Sequence, residues 1–258
     1  MRPKTPIALI IPFYNEDSRF DFQAFSELAG ISLEYLQIVM VDDGSEDDLA
    51  EKIKVFVYQN HITNVNIIKR PTNLGKADAI RFGIQSLESN NFTHVGFTDA
   101  DFAAPPSEIL RLAKIALEDN KNIIVGCRVQ TARNQIVTSR FRHWQGQIFT
   151  SLTAFILGHS LTDPQCGLKF IPFNEALQMS TNTPFINGWL FDLEILLRMN
   201  LRQDIEFLEV ILEKWSHVSG SKVTPADTFP VFISVLKLRN RYGKFHKLKK
   251  SMNTNYLD

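Results

Sequence analysis

Five short apolar runs, each closed by a polar turn and followed by a helix-like pattern, constrain this chain more than any other feature. They are "IALIIPF" (7–13), "LQIVMVDDGS" (36–45), "NVNIIKR" (64–70), "HVGFTDAD" (94–101) and "NIIVGCR" (122–128). Rich in Ile and Val and lacking polar alternation, they read as parallel strands covered on both faces. Helix patterns fall between them at about 21–29, 47–59, 76–89 and 107–118. Asp47 and Ser107 are the expected N-caps, with Pro105 and Pro106 blocking any earlier start of the last helix. The alternation predicts an α/β fold: an open, mostly parallel sheet with helices on both faces.

Beyond Arg128 the rhythm changes. A helical stretch at about 138–158 leads to "TDPQCGLKFI" (162–171). A helix near 188–200, a strand "IEFLEVILEKW" (205–215) and an amphipathic helix at about 226–242 follow. No internal repeat or low-complexity linker divides the chain, and 258 residues can bury a substantial core. One domain is expected over 1–242, its halves meeting near residue 128, with a basic tail over 243–258.

Composition removes several classes. Hydrophobic content of 44% and charged content of 22% are those of a soluble globular chain. The opening "MRPKTPIALIIPFYNE" holds too short an apolar run for a signal peptide, and "IFTSLTAFILG" (148–158) falls far short of the roughly 20 residues that span a bilayer. Cys127 and Cys166 make neither a disulfide framework nor a zinc spacing, and are expected as reduced thiols in a cytoplasmic protein. Net charge is zero but unevenly placed. Seven cations fall within "KLRNRYGKFHKLKK" (237–250), so an acidic body is joined to a basic end.

In such sheets ligands bind outside the carboxyl ends of the strands. The unusual residues fall there: "PFYNE", "DDGS", "NLGKADA", "DAD" and "GCR" after the five runs in turn. Asp99 and Asp101, one residue apart at a strand end, can hold a hard cation through oxygen. An isolated D-x-D recurs freely, one carboxylate capping the next helix and the other solvated. The company of four other polar loops favours a site. "VDDGS" could equally be an Asx turn, with Gly44 supplying a positive φ. "NLGKADA" lacks the spacing of a P-loop, no G-x-G-x-x-G follows the first run, and no G-x-S-x-G elbow appears among scattered histidines. These absences argue against a P-loop nucleotidase, a dinucleotide oxidoreductase and a triad hydrolase.

Taken in order, "IPFYNE", "VDDGSED", "RPTNLGKADAIRFGI", "FTDADFAAPPSEI", "VGCR", "TDPQCGLKFI", "GWLFDLEILL" and "VSGSKVTP" resemble a family 2 glycosyltransferase of the GT-A fold. Within it the likeness is nearest the polyprenyl-phosphate (dolichyl-phosphate) glycosyltransferases, particularly the β-glucosyl branch, and covers about residues 7–225. The resemblance implies a nucleotide-sugar-binding half (1–128) and an acceptor half (129–242). It implies an inverting enzyme that uses Mg2+ or Mn2+ to move a hexose, glucose from UDP-glucose, to a polyprenyl phosphate at the cytoplasmic face of a membrane. It assigns Pro12, Tyr14 and Glu16, with Asp42 or Asp43, to the base and ribose of the nucleotide-sugar donor. Lys76 falls in the donor loop, and Asp99 and Asp101 hold the cation against the diphosphate, a Lewis-acid role. Mannosyl members often carry Gln where this chain has Ala103, which turns the reading from GDP-mannose towards UDP-glucose. Cys127 stands where a "GSR" motif has Ser.

A hydroxyl acceptor needs a general base, whereas a phosphate monoester, with a second pKa near ~6, is already largely dianionic and needs cations. Arg128, Arg140, Arg142 and Lys222 are the candidate phosphate contacts, their plain alternative being solvated surface charge. Asp163 is the candidate base for a hydroxyl; in the polyprenyl branch its counterpart shapes the acceptor loop with Gln165 and Gly167. Asp192 and Glu194 either brace that loop or pair with nearby arginines. Three readings stay open: the polyprenyl-phosphate enzyme, a relative using another donor or a glycan, polysaccharide or protein hydroxyl, and a non-catalytic nucleotide-sugar-binding module. Nucleic acid is not an expected partner, because the aspartate-lined edge would repel it. The basic stretch interleaves its cations with Leu238, Tyr242, Phe245 and Leu248, a pattern that can lie on a bilayer surface, and the apolar stretch at 148–158 is a second candidate anchor.

Overall fold

The structure is a computed structural model that describes residues 7–31, 35–87, 92–119, 122–137, 161–181, 185, 190–200, 205–216, 234, 236–238, 240–241 and 250–252. Its strands are β1 (Ile7–Phe13), β2 (Leu36–Asp42), β3 (Val65–Lys69), β4 (His94–Phe97), β5 (Ile123–Cys127), β6 (Gln135–Val137), β7 (Lys169–Pro172), β8 (Phe207–Ile211), β9 (Lys214–Ser216) and β10 (Lys250–Met252). Its helices are α1 (Phe22–Ile31), α2 (Leu49–Gln59), α3 (Lys76–Gln85), α4 (Pro106–Glu118), α5 (Phe173–Thr181) and α6 (Phe191–Asn200).

The five apolar runs all become strands of one eight-stranded sheet, ordered β10-β8-β5-β7-β4-β1-β2-β3. Every pairing in it is parallel except those of β7, which runs antiparallel to both β4 and β5. β1 pairs with β2 along its whole length, Ile7 opposite Leu36 through Phe13 opposite Asp42. Alternate β1 side chains go to opposite faces. Ile7, Leu9, Ile11 and Phe13 pack with α1, α2 and α4, while Ala8 and Ile10 pack with α3, α5 and α6. Each buried Ile or Leu contributes about 1.5–3 kcal/mol, which is why runs without polar alternation settle only where both faces are covered.

Helix starts differ from the sequence expectation in instructive ways. α1 is capped by Asp21, whose Oδ1 accepts the N–H groups of Gln23 (2.9 Å) and Ala24 (3.0 Å). α2 begins at Leu49, two residues beyond Asp47, and Asp48 at its N-cap makes no side-chain cap bond. Asp47 Oδ1 accepts the Leu49 N–H at 3.4 Å, so it does bond the first helical residue, and its Oδ2 accepts the N–H of Asp17 at 2.9 Å, tying the β1 and β2 loops together. α4 starts at Pro106 with Pro105 as its N-cap, so the prolines open the helix rather than block it and Ser107 is not the cap. A proline at the first helical position lacks only an N–H that would have no partner there. Its apolar stripe of Ile109, Leu112, Ala113 and Ala116 faces the sheet.

The predicted strand at 205–215 divides. β8 stays in the main sheet, and β9 leaves it to pair with β6 in a two-stranded parallel ribbon. The corner is held by α4: Arg111 donates to the Ile211 carbonyl (2.8 Å), and Glu108 accepts the Glu213 N–H (3.2 Å). Near the C-terminus, residues 234, 236–238, 240 and 241 are helical. Leu238 is fully buried against the α3, α5 and α6 layer, and Arg241 lies 4.0 Å from Glu194. The expectation that Leu238 faces a bilayer is therefore corrected. Residues 250–252, expected in a free tail, form the edge strand β10. The helix expected at 138–158, and residues 226–233, 235, 239 and 242–249, lie outside the described residues. Among the described residues no helix is long and apolar enough to cross a membrane.

Candidate active site

Three loops at the carboxyl ends of β1, β2 and β3 are stitched into one surface. Asn15, at φ 51°, donates its N–H to Ser45 Oγ (3.0 Å) and accepts the Glu46 N–H (2.9 Å). Asp42 is fully buried, accepts the Ser45 N–H at 2.7 Å and pairs with Lys69 at 3.0 Å. Asp43, also buried, accepts the Gly75 N–H (2.7 Å) and pairs with Arg70 (3.0 Å). Burial pushes the Asp43 carboxyl up, against the pull of the Leu74 and Gly75 N–H groups and of Arg70. Both aspartates thus build the loops themselves. Pro12 lies inside β1 with no free face, and Glu16 is clasped by Arg19. Of the predicted donor contacts, Tyr14, Lys76 and Asp99 keep accessible surface.

The β2–β3 arrangement aims Lys76. Asp43 fixes the Leu74–Gly75 backbone, and Gly75, at φ 92°, makes the turn that starts α3 with Lys76 as its first residue. Lys76 Nζ then meets Asp99 Oδ1 at 2.5 Å and lies 5.4 Å from the Phe191 ring centroid. Burial works against both charges. The Asp99 and Asp192 carboxylates nevertheless raise the Lys76 ammonium above its ordinary value, and Lys76 carries Asp99 below the usual carboxylate range. Asp101 behaves oppositely: burial and the charge of Asp99 push its carboxyl up, although its Oδ1 accepts the Ala103 N–H (3.1 Å). The turn is tight, with Phe102 at φ 50° and its ring 5.7 Å from that of Phe20.

These two carboxylates fit a divalent cation. They are hard oxygen donors one residue apart, and the penalty that keeps Asp101 protonated more readily than usual is one that a cation would relieve. Among the described residues no group of three or more His, Cys, Asp or Glu side chains could hold a metal ion, so the rest of such a shell would come from ligand oxygens and water.

The opposite wall is the segment 162–168, and three separate strands hold it. From β8, Glu209 accepts the Thr162 N–H (2.5 Å) and hydroxyl (3.1 Å). At the end of β5, Arg128 makes a two-pronged pair with Asp163 (2.6 and 2.8 Å), and its backbone N–H adds a third bond at 3.0 Å. Despite burial, Arg128 holds Asp163 below the usual carboxylate range. The guanidinium also lies 5.1 Å from the Trp215 ring centroid. From β7, Lys169 donates to the Cys166 carbonyl and pairs with Asp192 at 2.6 Å. Between these ties, Gly167 passes so close to Asp99 that a Cβ there would sit 2.5 Å from Asp99 Oδ2.

The structure thus brings together Lys76, Asp99, Asp101, Arg128 and Asp163, while Pro12 is buried in β1 and Asp42, Asp43 and Glu16 are buried and bonded within the loops. Arg140, Arg142 and Lys222 lie outside the described residues. Asp192 braces the 162–168 segment through Lys169, whereas Glu194 pairs with Arg198 (2.7 Å). Lys169, Glu209 and Arg19 were not foreseen. The available signal was a lone charge within "GLKFI" and another within "FLEVI", since a charge in an apolar strand must find a partner.

A model described as glycosyl transferase family 2 matches residues 8–175. The dolichyl-phosphate beta-glucosyltransferase of Saccharomyces cerevisiae is 30% identical over 241 residues, covering 85% of this chain and 70% of the relative. That of Drosophila melanogaster is 29% identical over 237 residues, covering 86% and 71%. Among solved structures, glucosyl-3-phosphoglycerate synthase from Mycobacterium tuberculosis, in complex with Mn2+, uridine diphosphate and glucosyl-3-phosphoglycerate, is similar with a TM-score of 0.63. It is 14% identical, with 96% of this chain and 88% of that one covered, a likeness of fold.

Proposed function

The chain belongs to glycosyl transferase family 2, and from that membership we propose that it moves glucose from UDP-glucose to a polyprenyl phosphate of dolichyl type at a membrane surface, with inversion at the sugar carbon. It is a glycosyltransferase of the GT-A fold. The observation that carries the acceptor is the state of Asp163. Both of its oxygens are engaged by Arg128, which also depresses its affinity for a proton. A hydroxyl acceptor would require a base there, and Asp163 is poorly suited to be one. A phosphate acceptor is already anionic and asks only for charge and position. The relatives named as dolichyl-phosphate beta-glucosyltransferases support the same reading.

In this reading Tyr14 contributes to the nucleotide pocket, and the scaffolded loops of Asp42 and Asp43 set its floor. Asp99 and Asp101 would hold Mg2+ or Mn2+, and that cation supplies Lewis-acid stabilisation of the departing diphosphate. Lys76 keeps Asp99 ionised and adds positive charge beside the leaving group. The acceptor phosphate approaches over the 162–168 segment, with Arg140, Arg142 and Lys222 as its proposed cationic contacts.

The test is a panel of nucleotide sugars offered with a short polyprenyl phosphate and, separately, with hydroxyl acceptors. UDP-glucose with the lipid phosphate should give product, and EDTA should abolish it. Turnover confined to a hydroxyl acceptor would overturn the acceptor assignment, and undiminished turnover in EDTA the metal assignment.

A further inference from the structure

Lys169 places a fully buried positive charge beside the site. Its side chain has no solvent exposure, and it sits on the antiparallel strand β7 directly opposite Phe97, two residues before Asp99. Its ammonium lies 5.7 Å from the Phe97 ring centroid, donates to the Cys166 carbonyl and pairs with Asp192 at 2.6 Å in the first turn of α6. An ion pair taken wholly out of water contributes little to stability compared with apolar side chains of the same volume, and its best use is to specify geometry. Here the geometry is that of the 162–168 segment. Glu209 and Arg128 fasten its beginning, and Lys169 fastens its end, where Gly167 lies against the Asp99 carboxylate.

We propose that Lys169 is a positioning residue for the transfer reaction. Through Asp192 on one side and the Cys166 carbonyl on the other, it fixes the Cys166–Gly167 backbone against Asp99, and so sets where Asp99 meets Lys76 and the reacting groups. The idea rests on the transferase reading, but its mechanical half does not depend on which acceptor is used. Releasing Lys169 should loosen the wall opposite the donor while leaving the β1–β3 loops, and with them nucleotide affinity, unchanged.

The test uses the full chain and three variants: Lys169→Met, Asp192→Asn and the double variant. The double variant leaves no uncompensated buried charge, and so covers the case in which a single variant fails to fold. Two readouts are paired. Hydrogen–deuterium exchange of peptides covering 162–168 should accelerate by about 10-fold or more in the double variant, with β1 to β3 unchanged. In turnover, kcat should fall by about 10-fold or more while KM for UDP-glucose stays within about 3-fold. As a control, Glu108→Gln with Arg111→Met removes another ion pair and should leave kcat in place whatever it does to the melting temperature. Unchanged exchange at 162–168 overturns the proposal, as does a rise in KM with kcat intact. If the wild-type protein glycosylates only a hydroxyl acceptor, the acceptor reading falls and the variants are compared on that acceptor. If it turns over no acceptor, the exchange result decides alone.

Discussion

Replacing Gly167 with Ala tests the contact on which the site's two halves meet. The added Cβ would lie 2.5 Å from Asp99 Oδ2, well inside the 3.4 Å at which ordinary contact begins, and 3.7 Å from Lys76 Nζ. Relief requires the carboxylate to retreat by about 0.9 Å, a displacement of the kind that can cost about 100-fold in rate when reacting groups are pre-positioned. The carboxylate is the far end of a side chain, so overpacking should cost the fold only about 1 kcal/mol, at the low end of such insertions. The two magnitudes differ: about 2.7 kcal/mol in the activation barrier against about 1 kcal/mol in stability. Steady-state release of UDP in the presence of acceptor measures the first, and urea unfolding the second. An Ala variant with kcat/KM within about 2-fold of wild type would refute the idea that this backbone approach fixes Asp99.

Asp163→Asn should keep part of the turnover with a phosphate acceptor while weakening the hold on Arg128, at about 1–3 kcal/mol of stability; a dead variant with normal acceptor binding would favour the hydroxyl reading. His94 is fully buried in β4, where burial holds its imidazole below the ordinary 6.5. Its contribution is therefore full above the unfolded value and is lost as pH falls below about 6.5, so His94→Gln should flatten the urea-midpoint profile in that range, and an unaltered slope would contradict it. Burial drives the Cys127 thiol well up and that of Cys166 to about 11, so the native protein should resist iodoacetamide at neutral pH and react only on unfolding. The same shifts mean stability is retained below the ordinary 9.0 and lost as pH rises past it, which alkaline melting curves would show. Replacing Lys244, Lys247 and Lys249 with Gln should reduce sedimentation with anionic liposomes at low salt, each cation being worth about 1 kcal/mol; binding equal to wild type would remove the stretch from any membrane role.

The first half of the fold was legible because it is written in local terms. β1 falls on its predicted bounds, and the four helices lie within a few residues of expectation, since apolar periodicity and turn residues act over short spans. What was illegible is non-local. Nothing in "LKFI" announces that β7 runs antiparallel between β4 and β5, because strand direction is decided by where the chain arrives, after residues that separate it from both neighbours. The site divides in the same way. Motif likeness drew attention to Asp99, Asp101, Lys76, Arg128 and Asp163, which do converge. It also drew attention to Asp42 and Asp43, whose carboxylates turn inward because the backbone N–H groups of Ser45 and Gly75 claim them. A motif marks that a residue type is needed, and only packing tells whether it faces a ligand or holds the loop that does.

The placement of β7 also governs how the sheet can be assembled during synthesis. β4 and β5 emerge with the first half of the chain, yet the strand that separates them is completed only at Pro172, 45 residues after Cys127. At about 5–20 residues per second, both strands present bare inner edges for roughly 2–9 s. Their sequences, "HVGF" and "IIVGC", are buried on both faces and, His94 apart, carry no polar side chain larger than a thiol, which is the condition under which an edge recruits the wrong partner. The most available wrong partner is each other, since a direct parallel β4–β5 pairing through α4 is the ordinary outcome of a strand-helix-strand unit. Arrival of β7 must therefore part or pre-empt that pairing.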